Sequence, residues 1–76
     1  MTMEQLKYFS TIEQTDSFSE AAEILYTTQS TISKQIKALE EELGFSLFQR
    51  TTRKVEVTGA GKVFSPYAKR ILREYE

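Results

Sequence analysis

Seventy-six residues, 39% hydrophobic and 28% charged with a net charge of −1, describe one small folded domain rather than a disordered chain. There is no cysteine and no histidine, which excludes disulfides, zinc–thiolate sites and every Ser–His arrangement. No metal, cofactor or enzymatic activity is expected, and without a bilayer-length apolar run or a signal-peptide pattern in MTMEQLKYF the expected address is cytoplasmic, with no membrane partner.

The first segment reads as an amphipathic helix over about residues 3–14. Thr2-Met3-Glu4-Gln5 fits a capping box, and Leu6, Phe9 and Ile12, with Tyr8 beside them, recur at helical spacing. Thr15-Asp16-Ser17 is a polar break. A short second helix follows from about Ser19, its expected cap, to Leu25, with Phe18, Ala21, Ala22 and Leu25 on one side; the alanines predict another helix crossing close by.

Tyr26-Thr27 is a very short connection, and Thr28 is the expected cap of a third helix over about 28–43. Ile32, Ile36, Leu39 and Leu43 form its apolar stripe. Ser30, Ser33, Lys34 and Lys37 project to the other side, so one face suits a core and the other suits polar partners. Glu40, Glu41 and Glu42 point in three directions from a helix and read as a solvated face, not a metal or catalytic cluster. Gly44 ends the helix, and Phe45 is expected to fold back on Leu39.

The period then changes. Leu47–Arg50 and Lys54–Val57 are two β-like runs around Thr51-Thr52-Arg53, a hairpin with a basic tip. Thr58 caps a last helix in which Ala60, Val63, Tyr67, Ile71 and Tyr75 line one side, while Pro66 is expected to kink or open it.

Three helices, a tight turn between the second and third, and a basic hairpin describe a winged helix-turn-helix, mainly α. The net charge hides an asymmetry that suits this reading. Residues 1–26 carry one lysine against five acids, net −4, whereas residues 27–76 carry nine Lys or Arg against six acids, net +3. Lys34, Lys37, Arg50, Arg53 and Lys54 stand in stretches without any acid. A third helix that opens with five hydroxyls and a glutamine is a poor helix start. It is a good tip for the major groove, where short polar side chains let the helix approach base edges and Gln29 can pair with adenine. Each feature has an ordinary alternative, as a plain cap, a solvated lysine, a polar hairpin tip, or packing of Tyr67, Ile71 and Tyr75 within one molecule. Their coincidence favours nucleic acid.

The stretch SFSEAAEILYTTQSTISKQIKALEEELGFSLFQRTTRKVEVTGAG, and the chain from about Met3 to Leu72, resembles the N-terminal DNA-binding domain of LysR-type transcriptional regulators. Its most specific parts are Ser17-Phe18 followed by Ala21-Ala22, then Gln29 with Ser33, Gln35 and Ile36, then LEEELGFSLFQR, and Thr58 with Gly61. The resemblance implies base contacts from Gln29, Ser30, Ser33 and Lys34, phosphate contacts from Thr28, Thr31, Lys37 and Arg50, and a minor-groove contact from Arg53 beside Lys54 in a wing over about 47–57. It implies a winged helix-turn-helix domain over 1–58 and a linker helix over 59–76 that joins a homodimer through Ala60, Val63, Tyr67, Ile71 and Tyr75 on a near-palindromic double-stranded site. A small-molecule effector is implied only for a C-terminal domain that these residues do not include. Position 30 is often proline in the family and is Ser here; position 34 is commonly Arg and is Lys here, without the planar fork of a guanidinium. The competing expectation, motivated by the charge of −1, is a winged-helix protein-interaction domain that does not bind DNA.

Overall fold

The computed structural model describes residues 1–51 and 54–75, and its helices begin where a side-chain oxygen can satisfy the free amides of a first turn. Helix α1 spans Met3–Thr15, α2 Phe18–Ile24 and α3 Gln29–Leu43; an antiparallel hairpin of β1 (Phe48–Arg50) and β2 (Val55–Val57) leads into α4, Gly59–Tyr75. At the start of α1 the Gln5 amide donates to the Thr2 hydroxyl at 3.0 Å, and Gln5 Oε1 accepts the Thr2 amide at 2.9 Å, completing the expected capping box. Gln5 Nε2 also donates to Gln35 Oε1 at 3.0 Å, so the capping residue ties α1 to α3.

Helix α2 starts one residue earlier than its sequence suggested, and its cap is Ser17, not Ser19. The Ser17 hydroxyl accepts the Glu20 amide at 3.0 Å, which places Phe18 in the first helical position with its ring buried. The helix stops through two backbone bonds, from the Thr27 amide to the Ala22 carbonyl at 3.0 Å and from the Tyr26 amide to the Glu23 carbonyl at 3.3 Å. That stop puts Tyr26 at φ +55°, a left-handed position usually filled by glycine or asparagine, and leaves the ring almost fully exposed. Two residues then suffice to reach the Thr28 cap, whose hydroxyl accepts the Thr31 amide at 3.1 Å.

Ile32, Ile36 and Leu39 are buried and Leu43 packs at the edge of the core, as the stripe on α3 predicts. Gly44 ends α3 at φ +83°. Phe45 does not fold into the core; it is 40% exposed, and Leu47, fully buried, occupies the interior instead. The turn is held by Glu40, whose carboxylate accepts the Leu47 amide at 2.6 Å and the Phe48 amide at 3.2 Å. Glu40 is therefore more than part of a solvated face: it satisfies two amides where the chain leaves the helix for β1.

Phe9 lies at the centre, fully buried, with its ring centroid 5.3 Å from those of both Phe48 and Phe64. Burying a ring of that size stabilises a fold by ~1.5–3 kcal/mol, and here it joins α1 to the hairpin and to α4. The small side chains Ala21 and Ala22 are buried where α2 packs on α1 and α3, the close crossing that they predict. Tyr8 is buried beside them on α1, and burial, reinforced by the Glu4 carboxylate 3.5 Å from its hydroxyl, pushes its phenol up from the usual range.

The Thr58 hydroxyl accepts the Gly61 amide at 2.9 Å, capping α4, and donates to the Ser46 carbonyl at 2.6 Å. Gly61 is needed for proximity: a Cβ there would collide with the Leu47 carbonyl oxygen and with Val57. Ser65, also buried, donates to Glu13 Oε1 at 2.8 Å, and Lys69 reaches the same carboxylate at 3.9 Å. The inward face of α4 is thus Gly61, Phe64, Ser65, Ala68 and Leu72, a face that the sequence reading did not single out. The helix continues through Pro66 without interruption. Pro66 itself is exposed, so the carbonyl it leaves without an intrahelical donor can be met by solvent.

Candidate nucleic-acid interface

The outward face of α3 begins at the cap. The Thr28 hydroxyl receives the Thr31 amide and itself donates to the Thr31 hydroxyl at 2.8 Å, so both threonines first serve to hold the first turn. Gln29 and Ser30 follow at the exposed tip, and Lys34 and Lys37 lie one and two turns behind. None of these four side chains has a hydrogen bond or an ion pair among the described residues. They present donors and charge that no described residue satisfies.

Ser33 differs. It is half-buried, and its hydroxyl accepts a hydrogen bond from Arg50 Nη2 at 3.0 Å. The same guanidinium lies over the Phe18 ring with its central carbon 3.8 Å from the ring centroid, a cation–π contact worth about 1 kcal/mol at a surface site. Phe18 in turn meets Phe48 edge-on at 5.7 Å. Residues from α2 and α3 therefore converge on Arg50 of β1. Sequence reasoning placed Phe18 only in the core, because neither the ring nor Arg50 announces a partner more than 30 residues away along the chain.

The hairpin places the remaining cations unevenly. Lys54 is exposed and pairs with Glu56 at 3.3 Å, a contact between two largely solvated groups that contributes little. Its backbone closes the hairpin tip, donating its amide to the Thr51 hydroxyl at 3.2 Å and accepting the Thr51 amide at 2.9 Å. Arg53, the expected minor-groove residue, lies outside the described residues. Between the hairpin and the start of α3 runs a shallow groove bordered by Ser17, Ser19, Gln29, Arg50, Thr51 and Lys54, with Asp16 as the acid on its rim. The front of the domain is thus rich in donors and cations, and Glu40, which borders the same hollow as Arg50 and Lys37, is turned toward backbone amides.

The five residues expected on one side of α4 divide. Val63, Tyr67 and Tyr75 are 68%, 60% and 64% exposed, and Ala60 is half-buried. Ile71 is also half-buried but packs against the core of its own molecule. Val63, Tyr67 and Tyr75 give the outside of α4 an apolar and aromatic strip, which α3 lacks, although Lys62, Lys69, Arg70, Arg73 and Glu74 are exposed on the same helix. Among the described residues no cluster of acids suited to a metal ion occurs, and no helix is long and apolar enough to cross a membrane.

Comparison with known proteins gives this geometry a family. The model of the family described as bacterial regulatory helix-turn-helix protein, lysR family, matches residues 3–62. The chain is 49% identical over 71 residues to the probable RuBisCO transcriptional regulator of Thalassiosira pseudonana, covering 93% of this chain and 23% of that protein. It is 43% identical to the HTH-type transcriptional regulator TfdT of Cupriavidus pinatubonensis, covering 95% of this chain and 32% of the relative. The chain therefore spans about a quarter to a third of the length of these curated relatives. Among solved structures it superposes on the CbnR_DBD-DNA complex with a TM-score of 0.95 at 39% identity, covering 99% of this chain and 86% of that one. The BenM_DBD/benA site 1 DNA complex gives 0.93 at 39% identity, covering 99% and 84%. The chain belongs to the lysR family of bacterial regulatory helix-turn-helix proteins.

Proposed function

We propose that this chain binds double-stranded DNA sequence-specifically, as the DNA-reading part of a LysR-type transcriptional regulator. The observation that carries the proposal is the outward face of α3: Gln29, Ser30, Lys34 and Lys37 are exposed and without a partner among the described residues, beside an Arg50 held in place. A helix tip with short polar side chains and unpaired cations is stabilised by what a major groove offers, acceptors on base edges and phosphates on both sides. The superposition on the CbnR_DBD-DNA and BenM_DBD DNA complexes supports the same reading.

In this account residues 1–58 form the winged helix-turn-helix and residues 59–76 belong to a linker helix. Gln29, Ser30 and Lys34 read base edges; Thr28, Thr31 and Lys37 face the backbone; Arg53 and Lys54 approach the neighbouring minor groove from the wing. Two copies join through the exposed apolar side of α4, with Val63, Tyr67 and Tyr75 at the contact and Ala60 and Ile71 flanking it. The target is then a near-palindromic site, because a two-fold protein presents two equivalent α3 tips. An effector belongs to the additional length found in the relatives, and a chromosomal target puts the working protein in the cytoplasm. The chemistry required is recognition, not catalysis.

Selection of bound duplexes from a random pool tests this directly. The expected result is enrichment of two inverted half-sites at a fixed separation. A pool that binds but shows no enriched sequence contradicts base readout by α3.

A further inference from the structure

We infer that Phe18 is a positioning residue for DNA: with Ser33 it holds Arg50 as the donor end of a clamp on one backbone phosphate, completed by Lys37. The inference rests on the proposed DNA-binding reading and gives Ser33 a different role from the base contact that family resemblance implies.

An exposed arginine ordinarily samples many rotamers and pairs with a nearby carboxylate. Arg50 has no ion-pair partner among the described residues, yet its guanidinium is fixed from two directions. Its central carbon lies over the Phe18 ring, 3.8 Å from the ring centre, and one Nη2 proton is spent on Ser33 Oγ at 3.0 Å. The contact with the ring spends no N–H donor, and only Nη2 has a hydrogen bond among the described residues, so other donors of the planar fork that matches two oxygens of a phosphate stay available. The platform is itself immobile: Phe18 is 5% exposed and braced edge-on against Phe48, which lies two residues before Arg50 on β1. The cation and its platform therefore share one support.

Phe18, Ser33, Lys37 and Arg50 line a single surface hollow, so a second cation faces the same space. Glu40 also borders it, but one carboxylate oxygen is occupied by the Leu47 and Phe48 amides at 2.6 and 3.2 Å. Ser33 lies one turn behind Gln29, about 6 Å further from the tip of α3. When the tip meets base edges, a short, half-buried side chain that far back lies at the lip of the groove, where the phosphates are, whereas the long, exposed Lys34 beside it still reaches inward. Ser33 still has its own hydroxyl proton to donate there after accepting from Arg50.

The test is a double-mutant cycle on binding of mixed-sequence duplex DNA across a salt series, with melting temperatures of each variant. Arg50→Gln should lower the log–log salt slope by about one. Phe18→Leu, which keeps an apolar side chain but removes the ring face, should weaken binding about three- to fivefold, and that loss should vanish in the Arg50→Gln background. Ser33→Ala should show the same dependence on Arg50 and lose equally on mixed DNA and on a selected site. Losses that multiply independently, or a Ser33→Ala loss confined to the selected site, would overturn the clamp while leaving the DNA-binding reading intact. Should Phe18→Leu fail to fold, the Ser33→Ala and Arg50→Gln cycle decides alone. Wild-type protein without salt-dependent binding overturns the functional reading and the clamp together.

Discussion

Helices α3 and α4 solve the same packing problem and are left with opposite surfaces. Each buries one face, Ile32, Ile36 and Leu39 from α3 and Gly61, Ser65 and Ala68 from α4. Outside, the first half of α3 carries Gln29, Ser30, Lys34 and Lys37, polar or cationic and unpaired among the described residues, while Glu41 and Glu42 are exposed near its far end. Outside, α4 carries Val63, Tyr67 and Tyr75, apolar or aromatic and more than half exposed, beside the charged Lys62, Lys69, Arg70, Arg73 and Glu74. The buried faces make the domain; the two leftover faces suit different partners, a charged polymer rich in acceptors for α3 and a second apolar surface for α4. The −1 net charge conceals this, because residues 1–26 carry five acids against one lysine while nine of the ten Lys and Arg lie in residues 27–76.

The largest expected effect breaks the α4 side of the contrast. Tyr67→Glu places a charge in the middle of the proposed contact and should cost association about 2 kcal/mol or more, read as a shift toward monomer in sedimentation equilibrium. Because Tyr67 is 60% exposed, the melting temperature of the monomer should stay nearly unchanged. A dimer that persists would show that the exposed side of α4 faces something else. On the α3 side, Gln29→Ala should reduce the preference for a selected site over mixed DNA by about 1–3 kcal/mol, with little loss on mixed DNA. Equal losses on both would make Gln29 a backbone contact. The smallest effect concerns the turn that aims α3. Tyr26→Gly removes a left-handed tyrosine at φ +55° and should raise stability by about 0.5–1 kcal/mol in denaturant unfolding, leaving DNA affinity unaltered. A fall in affinity would mean that the exposed ring touches the DNA.

Much of the fold was legible because it is written locally. The capping box at Thr2 and Gln5, the cap at Thr28, the stop at Gly44 and the cap at Thr58 each depend on residues within a few positions of one another. The apolar stripe of α3 was readable for the same reason. Local reading fails where two short-range options compete or where the partner is distant. Ser17 and Ser19 both fit a helix start, and burial of Phe18 favours the earlier one. Phe45 is well spaced to cover Leu39, but Leu47 takes the interior once Glu40 has bound the next two amides. The inward face of α4 carries a glycine, a serine and an alanine, which give no hydrophobic signal; their value is proximity to Leu47, Val57 and Glu13. The candidate site divides likewise. Periodicity alone puts Ser30, Ser33, Lys34 and Lys37 on one face. The Phe18–Arg50–Ser33 arrangement joins three elements and leaves no trace in spacing.

The central claim is that the outward face of α3 meets duplex DNA, and its salt dependence tests that most directly. Dissociation constants for mixed-sequence duplex DNA, measured from low to high salt for the wild type and for Lys37→Gln, should give a steep negative log–log slope that becomes shallower by about one in the variant. A wild-type affinity that does not change with salt, or a slope that Lys37→Gln leaves untouched, would contradict it.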